Sequence, residues 1–101
     1  MCLVLRHYDE VDPRYARESL ERNRHTLVPL LSQQHGFIAY YTLEGEDGSV
    51  VSIGVYESKG EAERSTQIAA DWVKQNSTQF IRKAPRVTQG EVRIYQGPTA
   101  P

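Results

Sequence analysis

Two runs of β-forming residues, Phe37 to Leu43 and Val50 to Tyr56, stand on either side of Glu44-Gly45-Glu46-Asp47-Gly48. An Asp-Gly pair between such runs specifies a hairpin, because glycine takes the positive φ that the turn requires. Around this antiparallel pair the other segments fall into order. Cys2 to Tyr8 reads as a first strand, with Leu3 and Leu5 alternating with Arg6 and Tyr8. Val87 to Tyr95 reads as a last one, with Val92 and Ile94 on one face and Arg93 and Tyr95 on the other.

Two helices fill the gaps. Asp12-Pro13 opens the first: Asp accepts from the free N–H groups of the first turn, and Pro loses nothing at the first helical position. Tyr15, Ser19, Arg22 or Asn23, Leu27, Leu30 and Leu31 follow at spacings of three and four, with Arg14, Arg17, Glu18, Glu21 and Arg24 on the opposite side. Pro29 has no N–H to give, so it kinks this helix or ends its regular part. Gly36 closes the element. The second helix starts near Lys59, since Ser58-Lys59-Gly60-Glu61 has the spacing of a capping box. Its buried stripe is Ala62, Ser65, Thr66, Ala69, Trp72 and Val73, and Gln75-Asn76-Ser77 ends it. Residues 78 to 86 form a connector with room for one helical turn at Phe80 and Ile81, and Pro85 stops anything longer.

The lengths match: a strand of about eight residues and a helix of about 18 each span roughly 27 Å. The expected fold class is therefore α+β, in β-α-β-β-α-β order. It has a four-stranded antiparallel sheet, and right-handed crossovers place both helices on one face. One domain, residues 1–96, accounts for the chain, followed by a flexible tail, 97–101. A domain of 101 residues buries only about two-thirds of the surface its unfolded chain exposes, so a second subunit would add useful core.

Charge excludes several functions. Twelve Lys and Arg face thirteen Asp and Glu, for a net charge of −1, and no stretch is a one-sign block. No nucleic-acid or anionic-membrane partner is expected. The longest basic run, Arg82-Lys83, reads as a solvated connector. The lone cysteine, Cys2, can form neither an internal disulfide nor a Cys-based zinc site. No apolar run reaches the length of a membrane span. Met1 to Tyr8 lacks the basic n-region and long h-region of a signal peptide, so a cytoplasmic location is expected.

Covering one side of the sheet leaves the other bare. Taking the apolar positions Leu3, Leu5, Val51, Ile53, Val55, Val92 and Ile94 as helix-covered leaves Val4, Arg6, Tyr8, Ser52, Gly54, Tyr56, Arg93 and Tyr95 uncovered. The strand 37–43 fits either register, with Phe37, Ala39, Tyr41 and Leu43 inward or with Ile38, Tyr40 and Thr42 inward. A large amphipathic sheet face marks an interface, and the simplest is a homodimer packed sheet to sheet.

The element order, His35-Gly36-Phe37-Ile38-Ala39-Tyr40-Tyr41 after Val28-Pro29-Leu30, the run Val50 to Ser58, Glu61-Ala62, and Ala69-Ala70-Asp71-Trp72-Val73 together resemble the antibiotic biosynthesis monooxygenase-like family. The resemblance covers about residues 2 to 96. It implies a ferredoxin-like fold, a dimeric α+β barrel closed by two sheets, and a pocket in each subunit between sheet and helices. Some members oxidise polycyclic phenols with molecular oxygen and no cofactor or metal; others open heme. The heme-opening pattern has Trp at the end of the third strand and His on the second helix. Here the strand ends Tyr56-Glu57, and residues 58 to 77 contain no His, which argues against that branch.

Two function classes follow. One is an enzyme, a cofactor-independent oxygenase of a small aromatic phenol or quinol. The other is a non-catalytic dimeric module that binds a small hydrophobic ligand or a protein partner. For the first, Trp72, Phe37 and Tyr41 are candidate ligand-binding residues, and His25, Asn23 and Tyr41 are candidate catalytic groups. Trp72 can wall a pocket with its indole N–H as donor, or simply fill core. His25 can act as a base if it turns toward the sheet, or pair with Glu21 at the surface. Asn23 and Arg22 put polar groups where an apolar one would pack. Arg6 and Arg93 can bind an anion or pair with Glu91 across strands. No metal site is expected: Glu21 and His25 alone make two ligands without a third. The cluster Glu44, Glu46 and Asp47 lacks the spacing of a calcium loop.

Overall fold

The computed structural model describes residues 1–9, 11–76 and 83–98, without the side chains of Tyr15 and Ala16. The expected turn at Phe80 and Ile81, together with Ser77, Arg82 and the tail from Thr99, lies outside the described residues. In chain order the elements are β1 (Cys2–Tyr8), α1 (Pro13–Arg22), a π-helical segment (Asn23–Leu27), α2 (Val28–Ser32), β2 (Phe37–Glu44), β3 (Val50–Tyr56), α3 (Lys59–Asn76) and β4 (Arg86–Glu91). The strands form one antiparallel sheet in the order β2-β3-β1-β4, a ferredoxin-like arrangement.

The β2–β3 corner forms for the reason the sequence offers. Gly48 has φ +85°. Asp47 Oδ1 accepts from the Ser49 backbone N–H at 3.0 Å and from its hydroxyl at 2.6 Å, and the Gly45 N–H donates to the Ser49 carbonyl at 2.7 Å. At the other end, the helix stops earlier than expected, at Ser32 with Gln33 as its αR cap, and Gly36, at φ +80°, turns the chain into β2 instead of closing the helix. A Cβ there would also meet the Glu61 carboxylate, the movable end of a flexible side chain, so it is the positive φ that requires glycine.

The first helix starts as read, with Asp12 Oδ1 accepting from Arg14 N at 3.0 Å and Pro13 in the first turn. The helical run then continues past Pro29 by changing pitch. The Val28 N–H donates to the Asn23 carbonyl five residues back, and Pro29 falls in the first turn of α2. The wider π turn absorbs the hydrogen bond that proline cannot make.

β4 ends at Glu91, earlier than the run to Tyr95 suggested. Its partner decides this: Cys2 pairs with Glu91, and the Val92 N–H still reaches the Met1 carbonyl at 3.0 Å.

The sheet faces are the reverse of the expected ones. Cys2, Val4, Arg6 and Tyr8 are buried along β1, while Leu3, Leu5 and His7 are half-buried. Cys2 and Val4 pack with Tyr56 and Ala62 of α3, so the β1 and β3 residues read as uncovered lie under the helices, while Arg93 and Tyr95 of that set are exposed. The apolar set Leu3, Leu5, Val51 and Ile53 faces away. The apolar-inward rule fails because the helix side carries the large rings of Tyr8 and Tyr56 and an arginine whose polar head is met by hydroxyls from α3. Ile94, also expected inward, is 88% exposed.

A register shift between Phe37 and Ala39 settles β2. Tyr40 opposes Gly54 and Thr42 opposes Ser52 on the helix side, while Tyr41 opposes Ile53 and Leu43 opposes Val51 on the open side. The irregularity also lets Phe37 turn inward, where it meets Tyr56 edge-on with ring centroids 5.9 Å apart. A second core cluster, Leu27, Leu31, Ala69 and Trp72, joins the first helix to α3.

Candidate functional site

The cleft between the first helix and the sheet is built on the π turn. Asn23 is its first residue, and the change of pitch directs its side chain toward β2, where Nδ2 lies 3.4 Å from the Tyr40 hydroxyl. Trp72 stands opposite on α3, 6% exposed, and donates its indole N–H to Thr26 Oγ1 at 2.7 Å. Thr26 passes the bond on to the Arg22 carbonyl at 2.6 Å. Arg22 Nη1 in turn donates to the Asn76 carbonyl at 2.7 Å, which ties the end of α3 to the end of α1.

Between these groups lies a small cavity of about 40 Å³, lined by Tyr8, Asn23, Tyr40, Thr42, Trp72 and apolar neighbours including Leu20 and Leu27. It has room for one or two waters. A more open groove of about 300 Å³ adjoins it and shares Leu20, Asn23, Tyr40 and Thr42. Together they offer an apolar recess with a carboxamide and phenol hydroxyls at its inner end. Burial pushes the Tyr8 phenol above its ordinary range; the charge of Arg6 works against this and Tyr40 adds to it. Tyr56 is likewise raised, first by burial, with Ser65 and Arg6 opposing.

The candidate residues divide between the recess and the surface. Asn23 and Trp72 meet at the cavity, although the Trp72 N–H is already used within the protein. Phe37 packs against both core clusters. His25 is on the surface, its side chain 73% exposed and its Nε2 3.5 Å from Glu21 Oε2. Tyr41 is 60% exposed on the open sheet face, away from the cavity that Tyr40 reaches. Arg6, placed on the uncovered face by its alternation with Leu3 and Leu5, is 2% exposed under α3. The sequence carried one sign of Tyr8, Tyr40 and Arg6: the hydroxyls of Ser65 and Thr66 on the buried stripe of α3 need polar company. Among the described residues, one further group of ligand-type atoms, from His35, Glu57 and Glu61, lies within 4.8 Å. The His35 side chain there is 92% exposed.

Solved structures share this architecture. The monooxygenase of the ActVA-Orf6 gene of Streptomyces coelicolor, solved with nanaomycin D, superposes with a TM-score of 0.78 at 16% identity, covering 97% of this chain and 92% of that one. A solved antibiotic biosynthesis monooxygenase gives 0.70 at 19% identity, with 91% and 98% covered. The chain has the antibiotic biosynthesis monooxygenase-like fold. A dimeric ferredoxin-like protein from an uncultured marine organism also shares it, with a TM-score of 0.67 at 15% identity and 94% and 96% covered. No family model matches the sequence, and no curated protein does. At such identities the antibiotic biosynthesis monooxygenase-like fold fixes the frame, and the chemistry has to be argued from the recess itself. No helix among the described residues is long and apolar enough to cross a membrane.

Proposed function

We propose that this protein oxygenates a small phenol or quinol, without a cofactor, in the recess between the first helix and the sheet. The observation that carries the reading is the approach of Asn23 to the Tyr40 hydroxyl at the apolar cavity, brought about by a π turn. Such turns recur at functional sites, and convergent polar groups in an apolar pocket are what orients an aromatic ligand. The ring would rest in the open groove with its hydroxyl directed at Asn23 and Tyr40. The substrate supplies all the electrons: a phenol and O₂ give a quinone and water, one oxygen atom entering the ring and the other leaving as water with both hydrogens. The protein contributes orientation and a dry site.

Oxygen uptake with 1-naphthol and 1,4-naphthalenediol tests this. Uptake above buffer autoxidation is expected, reduced roughly tenfold or more by Asn23→Ala and by Tyr40→Phe. Uptake that neither the protein nor these changes affect overturns it.

The alternative, a non-catalytic dimeric module, draws on the open sheet face and on the small size of the closed cavity. Both readings share a homodimer. Leu3, Leu5, Val51, Ile53 and Ala39 are half-buried on the open face, and Tyr41 and Leu43 are exposed at 60% and 46%. A bare apolar face of this extent favours a second copy over solvent. Arg86 and Asp9, paired at 3.2 Å beside His7, would form its polar rim. The buried free thiol of Cys2 suits the reducing cytoplasm.

A further inference from the structure

Arg6 is the most deeply buried charge among the described residues, at 2% exposure in the middle of β1. Its Nη2 donates to Ser65 Oγ at 2.9 Å and to Thr66 Oγ1 at 3.2 Å. Its Nε and Nη1 are buried without a hydrogen-bond partner. Hydroxyls satisfy part of its donor capacity, but they do not neutralise it, and among the described residues no carboxylate pairs with it. An uncompensated buried cation is strongly unfavourable.

The surroundings indicate where a countercharge would come from. Arg6 lines a groove of about 450 Å³ between α3 and β4, which shares Tyr8 and Val73 with the small cavity but none of its other lining residues. Lys74 and Lys83 stand at it with Arg6, while Val73, Val87 and Pro85 give it apolar walls. Among the described residues no acidic side chain lines it. The chain as a whole carries a net charge of −1, so three cations without an acid is a local feature. A groove of this volume accepts a small organic molecule.

We infer that the groove floored by Arg6 binds a small carboxylic acid with an apolar body, its carboxylate meeting the cations and its hydrocarbon lying on Val73 and Val87. The apolar walls favour such a ligand over a bare inorganic anion, whose remaining oxygens they would leave without donors. The site is distinct from the recess at Asn23 and does not depend on the oxygenase reading.

Calorimetric titration of the whole chain with hexanoate, benzoate and 1-naphthoate, each beside its neutral amide, tests the inference. The acids are expected to bind and the amides to bind at least roughly tenfold more weakly, the scale of a lost charge-assisted hydrogen bond. Arg6→Met is expected to abolish the difference. Because that change sits in the core, Lys74→Gln with Lys83→Gln provides an independent arm. Both lysines are exposed, so the fold should survive, and the acids should lose several-fold in affinity. Equal binding of acid and amide, or no acid binding, overturns the inference. So does unchanged acid binding in the folded Arg6→Met protein or in the double lysine variant. Phenyl phosphate that outcompetes every acid overturns the carboxylate assignment.

Discussion

The two faces of this sheet carry opposite chemistry from where intuition puts it. The side under the helices holds an arginine, two serines and two buried tyrosines: Arg6, Ser52, Ser65 from α3, Tyr8 and Tyr56. The side turned away holds Leu3, Leu5, Val51, Ile53 and Leu43. A domain that covered only one face for stability would choose the second. Covering the polar face makes sense if that space is for ligands, and leaving the apolar face bare makes sense if another copy covers it. The contrast thus ties the proposed recess to the proposed dimer: the helices enclose polar groups among an apolar core of Val4, Leu27, Leu31 and Trp72, and association of two copies would cover the bare apolar face.

Neighbouring residues of β1 separate the two faces most sharply. Val4 is fully buried against Tyr56 and Ala62, and its helix-side neighbour two positions on is already cationic. Val4→Lys is expected to cost about 3–5 kcal/mol, the scale of an unpaired buried charge, and to unfold the chain by circular dichroism. Leu5 points the other way, opposite Ile53 and Thr88. Leu5→Lys should leave the helical spectrum intact and raise the dimer dissociation constant by roughly a hundredfold, as a charge doubled across a two-fold interface does. Sedimentation equilibrium reads this. A dimer untouched by Leu5→Lys would remove the open face as the interface.

Trp72→Ala probes the helix-covered side through its largest ring. It loses the contacts with Leu27 and Leu31 and the bond to Thr26. A loss of about 3–4 kcal/mol in urea denaturation is expected. An unchanged midpoint would mean that the first helix is held by other contacts.

The fold was legible in the sequence because its signals are local. Asp47-Gly48 and Asp12-Pro13 each act on backbone within two residues, and α3 starts at Lys59, just after Ser58, as read; Gly36 marks the start of β2 and not the helix end. The sidedness of the sheet was not legible, because alternation tells which residues share a face and not which face is covered. Arg6 and Tyr8 were read onto the uncovered, interface-forming face; for Arg6, the hydroxyls that make it an interior residue come from Ser65 and Thr66, some sixty positions away. Tyr40 was masked by Tyr41 for a related reason: a register irregularity at Phe37/Ala39 sets the phase of β2, and nothing in the strand's own composition announces it. Asn23 stood out as a polar residue on an apolar stripe, but its direction depends on the π turn.

Gly36→Ala has a smaller effect, at the junction that sets the phase of β2. The left-handed φ alone costs about 1–2 kcal/mol, and the new methyl would displace the Glu61 carboxylate. A melting temperature lower than that of Gly60→Ala, where a Cβ meets open space in the first turn of α3, is expected.

The smallest effect is on pH dependence and belongs to the helix-covered face alone. Tyr8 and Tyr56 have pKa values raised chiefly by burial. In the unfolded chain these phenols lose their protons at the ordinary tyrosine value, while in the folded chain they still hold them. The native state then binds more protons than the unfolded one, so stability falls as the pH rises through that interval. Below the ordinary tyrosine value both states are protonated and this term vanishes. Urea midpoints compared at roughly pH 8 and pH 10.5, on either side of the ordinary tyrosine value, should therefore drop for the unmodified protein and drop less for Tyr8→Phe. The comparison between the two pH values within each protein cancels whatever the missing hydroxyl does at neutral pH. An alkaline loss of the same size in both proteins would mean that Tyr8 keeps contact with water, and that the recess beside it is wetter than the packing of Trp72 and Leu27 implies.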